Sequence, residues 1–177
     1  MPAGSLERSL TAALSVVCLC LPVCQSGITP NAETLAQVDE LKKNNSKWFF
    51  ATFKVDGISI VPDSQWGEPS LKAQGDAAVA AAFEKQVWPE FTKQLTSADG
   101  PRFAVIDFVY TTKDGRIQKT LLSLGWCPDK GTPAKQKMTF ASTKTAFETK
   151  INIGKKYQAN DESDLEFSSV FEHLQKL

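Results

Sequence analysis

The chain has 177 residues, of which 42% are hydrophobic and 23% charged, a composition typical of a soluble globular domain with its own core. Its 20 lysines and arginines balance 20 aspartates and glutamates, which excludes an overall field that would attract nucleic acid or an acidic membrane. An acidic partner would therefore have to meet a local basic patch.

Residues 1–25 differ in character from the rest of the chain. Arg8 precedes an apolar run over residues 10–23, which resembles a secretory signal but lacks a clean cleavage site. The run is too short to span a membrane comfortably. A secretory signal, a disordered extension and a start-site artefact all fit this segment, and we expect residues 26–177 to form a single domain.

The first part of that domain combines a helix signal with a hairpin signal. Apolar residues at helical spacing predict a helix over residues 31–43. The aromatic stretch 47–55 predicts a strand that turns at Asp56-Gly57 into a second strand over 58–61, because Asp-Gly favours tight hairpin turns. Residues 62–75 are polar, contain proline and glycine, and predict a loop.

The remaining elements complete a pattern of mixed helices and strands. An alanine-rich helix is predicted over residues 76–95, with Asp76 as its N-cap and Pro89 expected to kink or divide it. Strong strands are predicted over residues 102–112 and 119–126. A long helix, a short strand and a closing helix follow over residues 133–151, 155–159 and 168–177. Together they predict an α+β fold, a mixed central sheet of about five strands flanked by helices on both faces.

Cysteine and histidine usage argues against a metal site or an enzyme. Cys18, Cys20 and Cys24 cluster near the N-terminus without the second ligand pair of a zinc site. Cys127, alone in the rest of the chain, cannot form an internal disulfide, which predicts an intracellular domain. His173, the one histidine, is too remote to serve as base for a serine or cysteine nucleophile. With no glycine-rich phosphate loop either, we expect a binding module without catalytic residues, metal or other cofactor.

The most informative stretch is residues 126–150, WCPDKGTPAKQKMTFASTKTAFETK. A strand ends at Trp126, and Pro133 begins a helix whose first turns carry Lys135 and Lys137. The helix dipole opposes positive charge there by roughly a few tenths of a kcal/mol. The placement favours a helix that presents both lysines to an acidic partner, and an ordinary solvated helix face is the alternative.

This stretch closely resembles the core motif of the ADF/cofilin family, W-x-P-D, a short turn, then P-x-[KR]-x-K-M-x-[YF]-A-S-[ST]-K. With one extra residue in the turn, the matching positions are Trp126, Pro128, Asp129, Pro133, Lys135, Lys137, Met138, Phe140, Ala141, Ser142, Thr143 and Lys144. The resemblance extends over residues 26–177, since 102–110 is similar to the family's central strand and 158–161 and 170–174 fit its C-terminal strand and helix. It implies a mixed sheet flanked by helices and an actin-binding function.

The resemblance also implies how actin is bound. The long helix would insert into the cleft between actin subdomains, with the N-terminal segment beside it. The implied monomer-binding residues are Ser26, Gly27, Ile28, Lys135, Lys137, Met138 and Ser142. Among these, the lysines would pair with acidic actin groups, and Met138 would supply the apolar contact that usually dominates the binding energy. The family's activity implies binding of ADP-actin monomers and filaments and promotion of filament severing and depolymerisation.

Ser26-Gly27-Ile28 is similar to the Ser-Gly-[Val/Ile] that opens these proteins, in which the serine is a phosphorylation switch. A phosphate on Ser26 would add roughly −1.5 to −2 charges facing acidic actin, so binding should fall. An unmodified loop serine is the alternative. Because family members begin almost at this serine, residues 1–25 would crowd the actin contact, which favours a processed leader or a start-site artefact.

A second surface of the family binds the side of filaments, and here it is less basic. The corresponding residues are Lys113, Arg116, Lys119, Glu172, His173 and Lys176. The long helix also departs from the family after Lys144, where Thr145, Glu148 and Thr149 replace an aspartate and a basic pair. We therefore expect weak phosphoinositide binding, and monomer binding and depolymerisation that persist better than stable filament decoration.

Proteins of the same fold offer an alternative function. Coactosin-like and glia maturation factor-like proteins bind filaments or the Arp2/3 complex without depolymerising actin, and a secreted protein of unrelated role is supported only by residues 1–25. Lys135, Lys137 and Met138 together with Ser26-Gly27 favour the cofilin type. We expect a monomeric protein of the cytoplasm and actin cytoskeleton, with actin and not nucleic acid as its partner.

Overall fold

A computed structural model describes residues 27–43, 46–97, 99–112 and 114–176 of the chain. In these ranges six strands form one mixed sheet in the order β1-β3-β2-β4-β5-β6. The strands are β1 (Thr29–Pro30), β2 (Phe50–Asp56), β3 (Ser59–Trp66), β4 (Arg102–Thr111), β5 (Ile117–Trp126) and β6 (Lys155–Ala159). β1 runs parallel to β3 and β6 parallel to β5, while the other neighbours are antiparallel.

Helices cover both faces of this sheet, as the sequence predicts. They are α1 (Ala32–Lys42), α2 (Pro69–Ala73), α3 (Asp76–Ala82), α4 (Trp88–Thr96), α5 (Ala134–Ile151) and α6 (Phe167–Lys176), with a π-helical segment at Phe83–Val87 and a 3-10 turn at Glu162–Leu165. The expected α+β fold is confirmed, and the sixth strand is the two-residue β1. None of the helices in the described ranges has the length and apolar character needed to cross a membrane.

The core on the α1 and α5 side holds the long helix against the sheet. The Phe103 ring of β4 stacks on Phe140 and Phe147 of α5, with ring centroids 4.4 and 4.6 Å apart. Phe147 also contacts Phe53 of β2 at 5.7 Å. These four rings are buried, so α5 is fixed along one face and its opposite face is turned to solvent.

The core on the other side is a network of aromatic rings. Phe83 packs edge-on against Phe108 of β4 at 5.2 Å, and Trp88 meets the same ring at 5.4 Å. The Trp88 Nε1–H donates to the Leu165 carbonyl at 2.9 Å, which satisfies the indole and fastens α4 to the 3-10 turn.

The prediction of a loop over residues 62–75 is wrong. β3 continues to Trp66, and α2 then occupies Pro69–Ala73. The pairing register of β3 with β2 shifts next to Pro62, and such irregular positions accommodate a residue that has no N–H for the ladder. Trp66 also stacks on Phe50 at 5.6 Å, so tertiary packing outweighs the polar composition of this stretch.

The helix predicted over residues 76–95 forms, but with two differences. Gly75, with φ of 93°, is its N-cap, whereas Asp76 was predicted there and is the first helical residue. The expected division near Pro89 takes the form of the π-helical segment that precedes α4. Pro89 lies in the first turn of α4, where a missing N–H is tolerated.

Candidate functional site

The outer face of α5 carries an uncharged strip with one large apolar side chain. Phe140 and Phe147 face the core, which leaves Met138, Ser142 and Thr145 on the solvent side, three and four residues apart. Met138 is 74% exposed. The Met138 side chain therefore contributes little to the core and is available to a partner.

The two lysines predicted to bind an acidic partner have different surroundings. The Lys137 Nζ donates to the Asp129 carbonyl oxygen at 2.9 Å and to its carboxylate Oδ1 at 3.1 Å. This contact pins the turn before α5 and offsets the repulsion between Lys137 and the helix dipole. Lys135 is exposed, and within the part of the chain that the structure describes its amino group makes no ion pair. Only Lys135 is therefore presented freely to solvent.

The N-terminal segment lies beside α5, as the predicted binding surface requires. β1 packs next to α5 and pairs with β3, with Thr29 opposite Ser59. Gly27 is exposed with φ of 72°, and Ile28 is half-buried against the α1 and α5 core. Ser26, the predicted phosphorylation site, lies outside the described residues.

The predicted filament-side residues divide between the β4–β5 hairpin and α6. Arg116 on the hairpin is exposed, whereas the Lys119 amino group pairs with Asp76 at the start of α3. Lys113 lies outside the described residues. The hairpin therefore offers less free positive charge than its sequence suggests.

On α6, Glu172 and Lys176 are exposed, but His173 is engaged. Its Nε2 lies 3.1 Å from the Lys156 carbonyl oxygen, and its ring meets Tyr157 edge-on at 5.0 Å. α6 is attached to the strand that leads into the hairpin, because Phe171 contacts the Tyr110 ring of β4 at 5.4 Å. The structure thus places both parts of the predicted surface on neighbouring elements.

A half-buried ion pair that the sequence does not reveal joins α2 to β4. Lys72 Nζ lies 3.5 Å from Asp107 Oδ2, donates to the Trp48 carbonyl at 2.6 Å and sits 4.4 Å from the centre of the Phe49 ring. Burial raises the pKa of the Asp107 carboxyl and lowers the pKa of the Lys72 ammonium, and each opposes the other's shift. The sequence gives one indication of this ion pair, since Asp107 is a charged residue inside the largely apolar strand RFAVIDFVY.

A groove of about 390 Å³ separates α5 from the β2–β3 hairpin. Lys135 and Thr139 of α5 line one wall, and Gly57 of the hairpin lines the other. Lys54 and Arg102, which also line it, both pair with Asp63, at 3.2 and 3.0 Å. Sequence reasoning misses this groove because it depends on the approach of elements that are about 80 residues apart.

Ligands for a metal ion are not brought together in the described ranges, where no three histidine, cysteine, aspartate or glutamate side chains cluster suitably. Cys127 is buried, and burial raises the pKa of its thiol, which disfavours the reactive thiolate.

Known proteins resemble this chain over the domain just described. Residues 27–175 match the family of cofilin/tropomyosin-type actin-binding proteins. The cofilin of Gibberella zeae is 29% identical over 166 residues, covering 86% of this chain and 96% of that protein. The crystal structure of Streptomyces griseoflavus cofilin shares the fold, with a TM-score of 0.68 at 21% identity, covering 85% of this chain and 98% of the other. The NMR structure of human coactosin-like protein has a TM-score of 0.60 at 21% identity and covers 84% and 89%. The chain belongs to the cofilin/tropomyosin-type family of actin-binding proteins.

Proposed function

We propose that this protein binds ADP-actin monomers and filaments and promotes the severing and depolymerisation of filaments. The observation that carries the proposal is the outer face of α5, where Met138 is 74% exposed on a helix that buried rings hold against the sheet. A rigid helix with an exposed apolar anchor suits insertion into a cleft of a partner. The name cofilin of the Gibberella zeae relative supports the same activity.

The residues have distinct roles in this proposal. Met138 is the apolar anchor, and Ser142 lies one turn further along the same face. Lys135 approaches acidic groups of actin, while Lys137 supports the turn before the helix. Gly27 and Ile28 extend the contact along β1. Phosphorylation of Ser26 weakens binding, because the phosphate adds negative charge opposite an acidic surface.

A second surface contacts the sides of filaments in this proposal. Arg116, Glu172 and Lys176 contact the side of filaments. Phosphoinositides bind weakly there, because Lys119 is paired with Asp76 and Glu172 adds an exposed negative charge. The protein acts as a monomer in the cytoplasm, at the actin cytoskeleton. Residues 26–177 form the functional domain, and residues 1–25 are an N-terminal extension of it.

Pyrene-labelled actin filaments mixed with the full chain test the proposal. We expect faster filament loss with the wild type, and loss of this effect in the double variant Lys135→Ala/Met138→Ala. Lys150→Ala, which removes an exposed lysine from the last turn of α5, is the matched control and should behave as wild type. A wild-type protein that binds no actin, under conditions where a known cofilin does, would refute the proposal.

The alternative is a coactosin-like or glia maturation factor-like protein that binds filaments or the Arp2/3 complex without depolymerising actin. The observation favouring it is that Thr145 and Thr149 are exposed on α5. The resemblance to the cofilin type implies charged residues at these two positions. Filament binding in co-sedimentation without accelerated loss of pyrene signal would support this alternative.

A further inference from the structure

The tip of the β2–β3 hairpin exposes an isoleucine that the fold does not use. Asp56 pairs with Ser59, so Gly57 and Ile58 form the turn between them, with Gly57 at φ of 58°. Glycine at the first central position is what such a two-residue turn favours. Ile58 is 86% exposed, which means that it contributes almost nothing to the core. A single exposed apolar residue needs no explanation by itself, so its surroundings decide what it does.

On one side, the tip adjoins the N-terminal segment. The parallel pairing of β1 with β3 places Thr29 opposite Ser59 and Pro30 opposite Ile60. Ile28 and Ile58 each directly precede a residue of the first of these pairs, so the hairpin tip lies next to the segment that leads into β1. Ile58 is thus adjacent to a segment that the proposed function places against actin.

On the other side, the tip adjoins α5 across the groove. Gly57 lines the same groove as Lys135 and Thr139, which lie on the flank of α5 next to its exposed strip. The surface from β1 through the hairpin tip to α5 is therefore continuous.

The charges around the groove indicate what kind of contact the tip can add. Lys54, Arg102 and Lys135 line the groove together with one carboxylate, Asp99. Lys54 and Arg102 are both paired with Asp63, so little of their positive charge is free for an acidic partner. The distinctive contribution of the tip is apolar, and the side chain that supplies it is Ile58.

We infer that Ile58 at the tip of the β2–β3 hairpin is an apolar anchor for actin, between the N-terminal segment and α5. This inference rests on the proposed actin binding through α5. Ile58 and Met138 would then contact actin at two points, on either side of the groove. Two apolar anchors on rigid elements define the orientation of a partner better than one.

Affinity for monomeric actin, measured by fluorescence titration with the full chain, tests the inference. Ile58→Ser should weaken the affinity about tenfold, as expected for an apolar hot-spot residue. Ile58→Val, which keeps most of the apolar surface, should stay within about threefold of wild type. Thermal unfolding of both variants should match wild type, because the side chain lies outside the core.

Ile117→Ser is the matched control. Ile117 is 37% exposed and lies at the far end of the sheet, since it pairs with Thr111 at the end of β4, while the hairpin tip adjoins Arg102 at its beginning. Monomer affinity should be unchanged in this control. Wild-type affinity in Ile58→Ser, alongside a loss in Met138→Ala, would overturn the role of Ile58 and leave the proposed function intact. Absence of binding by the wild type itself would remove the proposed function and this inference together.

Discussion

Lys135 and Lys137 are two residues apart on α5, and their side chains serve different purposes. Lys137 bonds to Asp129 and stabilises the turn, whereas Lys135 is free to meet a partner. The helix dipole opposes positive charge in the first turn of α5, and in the described ranges Lys135 has no carboxylate partner that offsets this penalty, so actin binding would relieve it. The resemblance in sequence gives Lys135 and Lys137 the same role. The structure separates them, because Lys137 alone of the two bonds to Asp129 in the turn before the helix.

Lys137→Ala should lower the free energy of unfolding by ~0.2–1 kcal/mol, the usual worth of an exposed ion pair. Asp129→Asn should cost no more, because the carbonyl of residue 129 still accepts from Lys137. The double variant should be no less stable than Lys137→Ala alone, since both changes remove one contact. Urea unfolding of the three variants measures this. Lys135→Ala, which removes no ion pair among the described residues, is the control and should be at least as stable as wild type. Fully additive losses would show that Lys137 and Asp129 are not coupled.

At the scale of elements, the strands and helices with long regular patterns are predictable, and the irregular connections are not. β4 and β5 follow from apolar runs on either side of a turn, and α5 follows from its motif. The continuation of β3 past Pro62 depends on a register shift against β2, which composition does not encode. Pro89 predicts that the helix is kinked or divided, but it does not predict that a π-helical segment forms before it.

The same limit applies to the candidate site. Its α5 part is predictable because the contributing residues are neighbours in sequence. The groove and the hairpin tip are not, since Gly57 and Lys135 are brought together only by the order of strands in the sheet. Local patterns specify elements, while the surfaces between elements follow from topology.

The attachment of α2 to β4 through Lys72 and Asp107 gives stability a specific pH dependence. Burial raises the pKa of Asp107 above its ordinary value of 3.8, so the folded state holds this proton more tightly than the unfolded chain does. Stability contributed by Asp107 is therefore greatest below pH 3.8 and declines as the pH rises through the raised value.

Asp107→Asn isolates this effect, because asparagine has a similar shape and does not titrate. We expect the destabilisation caused by Asp107→Asn to be largest near pH 3 and to shrink toward neutral pH, as ionised Asp107 incurs the cost of burial. Urea unfolding of both proteins between about pH 3 and 7 measures the difference. A difference that instead grows toward neutral pH would show that attraction to Lys72 outweighs burial, contrary to the expected sign.

At the scale of the whole molecule, the two proposed actin contacts lie toward opposite ends of the sheet. The first contact adjoins the groove between the start of α5 and the β2–β3 hairpin, and Arg102, where β4 begins, lines that groove. The second contact includes Arg116, which lies in the β4–β5 hairpin, where β4 ends. Ten residues of strand separate the two ends, roughly 33 Å. A protein built in this way can contact one actin subunit with its first surface and a neighbouring subunit with its second, which filaments offer and monomers do not.

This separation predicts that the two activities can be removed independently. Arg116→Ala combined with Lys176→Ala should weaken co-sedimentation with filaments several-fold and leave affinity for monomeric actin unchanged, because sites this far apart share no contacts. Lys135→Ala/Met138→Ala should weaken both, since the first surface is used in either complex. Because Lys119 is already paired with Asp76 in the described part of the second surface, raising the salt concentration should weaken filament binding of the wild type only modestly. Equal loss of monomer and filament binding in the Arg116 and Lys176 variant would contradict two separate surfaces and would favour one continuous contact across the sheet.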